Sequence, residues 1–313
     1  MPTPLPSSQP TPKLIPPLPA PLDRILDLLR CPPCGAGLRP VARALRCPAG
    51  HTFDLARQGY AALLTGTRAT SADTQAMVSA RTAFLATGHY APLHRAVSDL
   101  AADAAPDRRT VADAPPDRPT ILDAGCGTAH YLAAVLDALP GARGLGLDAS
   151  VPALRKAARA HPRAAAVAWD VFRPFPLADA AADVLLNVFA PRNPAEFHRV
   201  LRPDGRLIVV RPTARHLTEL RERLPTAVTV DPAKETRLSR TLDPYFAPVR
   251  TERIEYGIQL TGREARDLVA MTPNARHLRH ADAVGDGWLP REGRLTVSVL
   301  AGVYRPRPQP RRD

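Results

Sequence analysis

Ile121-Leu-Asp-Ala-Gly-Cys-Gly-Thr-Ala129 reads as an apolar strand that turns sharply into a helix. Gly125 and Gly127 carry no Cβ, so the backbone there can approach a bound molecule closely. The next apolar run ends Leu145-Gly-Leu-Asp148, which puts a carboxylate where it can accept hydrogen bonds from two ribose hydroxyls. A dinucleotide site would need a third glycine where His130 stands, and this disfavours pyrophosphate. The acidic Asp123 ahead of the glycines suits a ligand with an ammonium group, as in S-adenosylmethionine. A tight turn without a ligand is the plainer alternative.

Around this loop, short apolar runs alternate with amphipathic stretches. Strands are expected at 120–124, 144–147, 164–168, 182–188 and 206–210, with helices at 131–139, 151–160 and 195–201. Strands at 251–260 and 294–304 would close the sheet as an antiparallel pair. This alternation predicts an α/β fold with a doubly wound, mainly parallel sheet. Ligands bind such sheets at the strands' carboxyl ends. Trp169 and Asp170 therefore become candidates for adenine, and Asn187 for a rigid substrate-facing loop. Ahead of the sheet, helices are expected at 22–29, 73–87 and 91–103.

Cys31-Pro-Pro-Cys34 is followed by Cys47-Pro-Ala-Gly-His51. Two close-spaced pairs of soft or borderline ligands supply the tetrahedron that zinc prefers, and four protein ligands make a closed, structural site. The fourth cysteine, Cys126, lies far off in the chain, which argues against a disulfide framework.

The expected organisation is a disordered proline-rich tail over 1–21, a zinc-binding module over 22–67 and connecting helices over 68–103. A proline-containing linker over 104–119, a catalytic domain over 120–306 and a disordered tail over 307–313 follow. The first 21 residues hold nine prolines. The formal net charge is +12 and the sequence pI about 10.4, which favours a polyanionic partner. Only Lys13, Lys156 and Lys234 are lysines, so the charge is carried by arginine. No apolar run is long enough to span a bilayer and no signal pattern opens the chain, so a cytoplasmic protein without a membrane partner is expected.

Taken together, these segments resemble the 23S rRNA (guanine-N1)-methyltransferases, a family that includes tylosin-resistance enzymes. The resemblance spans nearly all of residues 31–304. Its distinctive part is the series Cys31-x-x-Cys34, Cys47-x-x-x-His51, Phe53-Asp-x-Ala-Arg-x-Gly-Tyr60, Leu63-Leu64, Asp73-Thr-x-x-Met77, Ala80-Arg81 and Gly88-His-Tyr-Ala-Pro-Leu93. Asn187-Val-Phe-Ala-Pro-Arg-Asn-Pro194 and His216-Leu continue it. The resemblance implies a seven-stranded class I S-adenosylmethionine-dependent methyltransferase fold with a small N-terminal zinc-ribbon-like module. It makes Cys31, Cys34, Cys47 and His51 the zinc ligands and places Tyr90 and His216 beside the cofactor. Its branch that modifies guanine-748, in a hairpin facing the peptide exit tunnel, is the nearer match. Relatives commonly carry glycine where this chain has Ala129, and the extra methyl is expected to crowd the cofactor's methionine end.

The expected cofactor set is thus Tyr90, Asp123, Gly125, Gly127, Thr128, Ala129, His130, Asp148, Asp170, Asn187 and His216, with S-adenosylmethionine and zinc bound. His216 and Asp183 are the candidates for taking the proton from guanine N1. Arg57, Arg68 and Arg81 are candidates for gripping RNA phosphates. Partners expected are 23S rRNA and, as an open alternative, a second copy of the chain in a homodimer. Two rival readings remain at this level: a small-molecule methyltransferase, and a non-catalytic RNA-binding protein on a methyltransferase fold.

Overall fold

The computed structural model describes residues 17–64, 66, 72–105, 118–222, 240–272 and 292–308. Most of the expected tails and linker falls outside these residues. Seven strands form one sheet: β4 (Thr120–Ala124), β5 (Arg143–Asp148), β6 (Ala164–Ala168), β7 (Ala182–Val188), β8 (Leu201–Pro212), β9 (Phe246–Thr261) and β10 (Glu292–Pro306). Their order is β6-β5-β4-β7-β8-β10-β9, parallel from β6 to β8, with β10 antiparallel to both its neighbours. Helices α4 (His130–Ala138), α5 (Val151–Ala157) and α6 (Pro194–Val200) make the crossovers. Covered on both faces, β4, β6 and β7 are buried along their whole length, which is why they read as apolar segments interrupted only by the buried polar residues Thr120, Asp123, Asp183 and Asn187.

Each face of the sheet carries its own core. One packs α2 (Gln75–Ala86), α3 (Ala91–Ala104), α4 and α8 (Gly262–Ala270) against Ile121, Val184, Leu186, Ile208 and Val210. The other packs Leu22, Ile25, Leu28, Leu29, Phe53 and Leu63 against Leu122, Leu145, Val167, Leu185 and Val209. The N-terminal module therefore shares a core with the catalytic domain. The expected helix over 22–29 is instead α1 (Ala20–Asp23) followed by a 3-10 turn over Leu26–Leu28. Ile25, Leu28 and Leu29 are all buried by the tighter turn.

The two sheet edges are closed differently. At β6, the backbone of Ala61 donates to Ala166 O at 3.0 Å and accepts from Ala168 N–H at 2.8 Å. At β9, alternate exposed positions bear charges such as Arg253 and Glu255, which discourage further strand pairing. The module itself is a three-stranded antiparallel sheet, β1 (Arg39–Val41), β2 (Ala44–Arg46) and β3 (Thr52–Asp54). Among the described residues no helix is long and apolar enough to cross a membrane.

Candidate active site and metal centre

Strands β4 and β7 are neighbours, but the chain leaves them toward opposite sides of the sheet, so a crevice opens at their carboxyl ends. A cavity of about 700 Å³ lies there. Of the residues expected at the cofactor, Tyr90, Asp123, Gly125, Gly127, Thr128, His130, Asp148, Asp170 and His216 line it, as does Trp169. Gly125 has φ +83°, and a Cβ there would meet the Cβ of Ala190 at 2.6 Å. The glycine loop and the loop after β7 are thus in direct contact, which only glycine permits.

The Asp148 carboxylate bridges that loop and the next helix. One oxygen accepts from Gly127 N–H at 2.8 Å and the other from Ser150 N–H at 2.7 Å. Each oxygen keeps a further acceptor direction for a ligand hydroxyl. Burial pushes the Asp148 carboxyl up, and these two hydrogen bonds oppose the shift. Burial, helped by the charge of Asp148, pushes Asp123 up to about 8. Burial alone leaves His130 below the usual histidine range. Trp169 Nε1 is buried without a partner among the described residues, and Asp170 Oδ1 accepts from Phe172 N–H at 3.0 Å.

Several expectations are corrected. Ala129 does not line the cavity; it is buried in the core at φ +61°, as the N-cap of α4. Glycine would suit that position because the backbone is left-handed, and the expected crowding of the cofactor has no basis in the geometry. Asn187 is also absent from the cavity wall. Its Nδ2 holds Pro191 O at 2.8 Å and Ala124 O at 3.2 Å, so it ties the two loops together from beneath. Asp183 sits at the amino end of β7, where it accepts from Thr120 N–H at 2.8 Å and faces Arg202 at 3.6 Å. It is a strand length away from the crevice and does not reach the chemistry.

His216 lines the cavity from the turn before α7 (Thr218–Arg221), and its hydrogen bonding suits a donor there rather than a base. Its Nδ1 accepts from Ser298 N–H at 3.2 Å. A neutral ring with Nδ1 as acceptor bears its proton on Nε2, so it offers the cavity a donor. Burial, helped by the charge of Arg221, pushes His216 down to about 4, which keeps the ring neutral.

The arginines separate. Arg57 is exposed on the ribbon side and Arg68 lies outside the described residues. Arg81 belongs to the cavity instead: it pairs with Asp73, donates to Met271 O at 3.0 Å, and would lie 3.1 Å from a Cβ at Gly127. Its place on α2 gave no sequence signal that it reaches across to the glycine loop. Sequence reasoning also missed Tyr131, Phe172, Phe189 and Arg192 as lining residues. Phe172 and Phe189 are 63% and 42% exposed, and large apolar rings in that state on a cavity rim are the usual mark of a binding surface.

In the ribbon, the Sγ atoms of Cys31, Cys34 and Cys47 and a ring nitrogen of His51 all lie within 4.8 Å of one another. Cys34 and Cys47 are 3.7 Å apart, and His51 Nδ1 is 3.5 Å from Cys31 and 3.4 Å from Cys47. Ligands about 2.0–2.3 Å from a tetrahedral zinc are separated by roughly 3.5–3.8 Å. The donor set and its spacing fit that ion.

The ribbon and the sheet match two family models, "RlmA, N-terminal" over residues 29–69 and "Methyltransferase domain" over residues 121–205. The 23S rRNA (guanine(748)-N(1))-methyltransferase of Streptomyces fradiae is 45% identical over 290 residues, covering 91% of this chain and 99% of that protein. A Micromonospora griseorubida protein assigned to 23S rRNA (guanine-N1)-methylation is 49% identical over 291 residues, 90% of this chain and 98% of the other. This chain belongs to the 23S rRNA (guanine-N1)-methyltransferase family. A Bacillus subtilis member is 33% identical over 255 residues, 80% of this chain and 87% of its own. The expected S-adenosylmethionine-dependent fold and the zinc-ribbon region are those of this family.

Proposed function

We propose that the protein transfers a methyl group from S-adenosylmethionine to N1 of guanine-748 of 23S rRNA. The observation that carries this reading is the near full-length likeness to the guanine-748 enzyme, shared by the ribbon and the catalytic domain alike. When bound, the cofactor supplies an electrophilic methyl group on a sulfonium. Asp148 would receive the ribose hydroxyls, Asp123 the ammonium group and Arg81 the carboxylate of its methionine end. Tyr90, Gly125, Gly127, Thr128 and His130 would line that end, with Trp169 and Asp170 at the adenine. Arg81 thereby leaves the RNA-gripping set.

The target base has to leave its hairpin stack to enter the cavity. The zinc ribbon presents Arg39, Arg43, Arg46 and Arg57 as exposed cations, and these are the groups we assign to hairpin phosphates. Their contacts release counterions, so methylation of the hairpin should weaken as salt rises. A small-molecule methyltransferase would be indifferent to salt. Mass mapping of methylated guanines in 23S RNA treated with enzyme and cofactor tests the assignment. A single methyl on guanine-748 is the expected result, and a modified nucleotide outside the tunnel hairpin overturns it. Resistance to a tylosin-type macrolide is the expected consequence in cells.

A further inference from the structure

Arg192 takes no part in the cofactor site described above. It lines the cavity from the loop after β7, and its Nε is buried with no hydrogen-bond partner among the described residues. A buried guanidinium N–H left unpaired is costly, so its presence in a native cavity points to a ligand that brings the acceptor. Burial lowers the Arg192 pKa from the usual arginine value, with the charge of Arg211 on β8 adding to the shift and Tyr304 on β10 opposing it. The side chain nevertheless stays cationic, as guanidinium groups in proteins do.

The loop that carries Arg192 is fixed at three points. Asn187 Nδ2 holds Pro191 O at 2.8 Å, Asn193 Nδ2 holds Val171 O at 3.0 Å, and Ala190 packs on Gly125. Phe189, three residues earlier, is held at φ +53° with its ring partly exposed at the cavity. That left-handed conformation is strained for a residue with a side chain, and such strain concentrates at binding sites. The Phe189 ring centroid lies 5.9 Å from that of His216. This wall of the cavity therefore offers an aromatic plate, a neutral N–H donor and a cation.

Resting on the guanine-methylation reading above, we propose that Arg192 faces O6 of the flipped guanine while the base lies against Phe189, with the His216 Nε2–H as a second donor. The positive charge makes the N1–H more acidic, so that N1 can lose its proton without a protein base. The N1 proton leaves to solvent water, and the anion that remains places much of its charge on O6, opposite Arg192. The N1 lone pair then forms the bond to the methyl carbon as the carbon–sulfur bond breaks. Sulfur keeps that electron pair, giving a neutral methylguanine and a neutral thioether. Adenine would set an amino donor against these donors and be rejected. Asp123, pushed up to about 8, is one of several other titratable groups on the cavity wall, with Asp148, Asp170, His130, Arg81 and Arg221 among them. They are common to any pair of enzymes that differ only at Arg192.

The experiment compares wild type, Arg192→Gln and Arg192→Lys on the 23S hairpin, with kcat and KM followed across the pH range in which guanine N1 titrates. Removing a charge-stabilising donor of this kind costs about 100-fold in rate. The Gln variant is expected to lose about that much kcat near neutral pH. The deficit should shrink as pH rises, because solvent then deprotonates N1 unaided. The Lys variant, which keeps the charge but not the fork, should fall between the two with the wild-type pH profile. Binding of S-adenosylhomocysteine by all three proteins should be equal. Should the Gln variant lose that binding through misfolding, the Lys variant still decides the matter: its kcat must fall below wild type. A raised KM with a shallower salt dependence and an unchanged pH profile would mean that Arg192 grips a phosphate oxygen, and the proposal fails. Unchanged kcat in both variants also overturns it. If wild type does not methylate the hairpin, the substrate reading itself fails, which the variants do not affect.

Discussion

Asp123 is a buried carboxyl with no hydrogen bond or ion pair to a described residue, and its pKa is pushed up to about 8 by burial and by Asp148. Between the ordinary value of 3.8 and about 8, the folded protein holds a proton there that the unfolded chain has released. Stability from this group is therefore full below the lower value, declines as pH rises through the window and levels off above it. An ammonium group favours the ionised form, so binding below about 8 must expel the proton. Affinity for S-adenosylhomocysteine should rise with pH up to that point and then flatten, as measured by calorimetry at several pH values. Asp123→Asn should weaken binding and abolish the pH dependence; a wild-type affinity that is flat with pH would refute the assignment. Asp123, Gly125, Gly127 and Asp148 were legible in sequence because they belong to one local strand-turn-helix and the end of the next strand. Arg81 and Arg192 were not, since the cavity they line is assembled from distant segments and a lone arginine reads as solvated charge.

Among the elements, β4, β6 and β7 fall where the sequence places them, because burial on both faces leaves an apolar run bounded by turns. The helix expected over 22–29 is broken into a short helix and a 3-10 turn, and its apolar residues Leu22, Ile25, Leu28 and Leu29 are all buried against the sheet. The start of α4 is unusual. Ala129 caps it in the left-handed conformation without a side-chain hydrogen bond. Such a conformation costs a residue with a Cβ roughly 1–2 kcal/mol relative to glycine. Ala129→Gly should accordingly raise stability by about 1 kcal/mol, read as a higher urea midpoint. Cofactor affinity should stay as it is, because Ala129 does not line the cavity. A change in affinity without a gain in stability would restore the crowding explanation.

At the level of the whole molecule, the ribbon is joined to the sheet by backbone and core together. Arg30 N–H donates to Pro176 O at 2.8 Å, Ala178 N–H donates to Leu28 O at 2.9 Å, and Ala61 continues the sheet beyond β6. Deleting residues 1–67 would therefore strip the cover from one face of the sheet along with the ribbon. Metal removal is the sharper perturbation. Chelating zinc, or Cys34→Ser, should lower the melting temperature of the entire chain by on the order of 5–10 °C in one transition, measured by calorimetry. Two separate transitions, with the catalytic domain unmoved, would show that the ribbon folds independently.

The chain's own order of residues was enough to determine the family, the alternating strands and helices, the cluster of three cysteines and a histidine and the glycine loop at the cavity. Each of these is written in short spacings, where chemistry and backbone conformation are set by near neighbours. Only the folded molecule decided that Asp183 stands at the wrong end of its strand, that Ser298 turns His216 into a donor, and that Arg81 and Arg192 enter the cavity. Those outcomes depend on strand direction and on contacts between distant segments, which packing alone brings together.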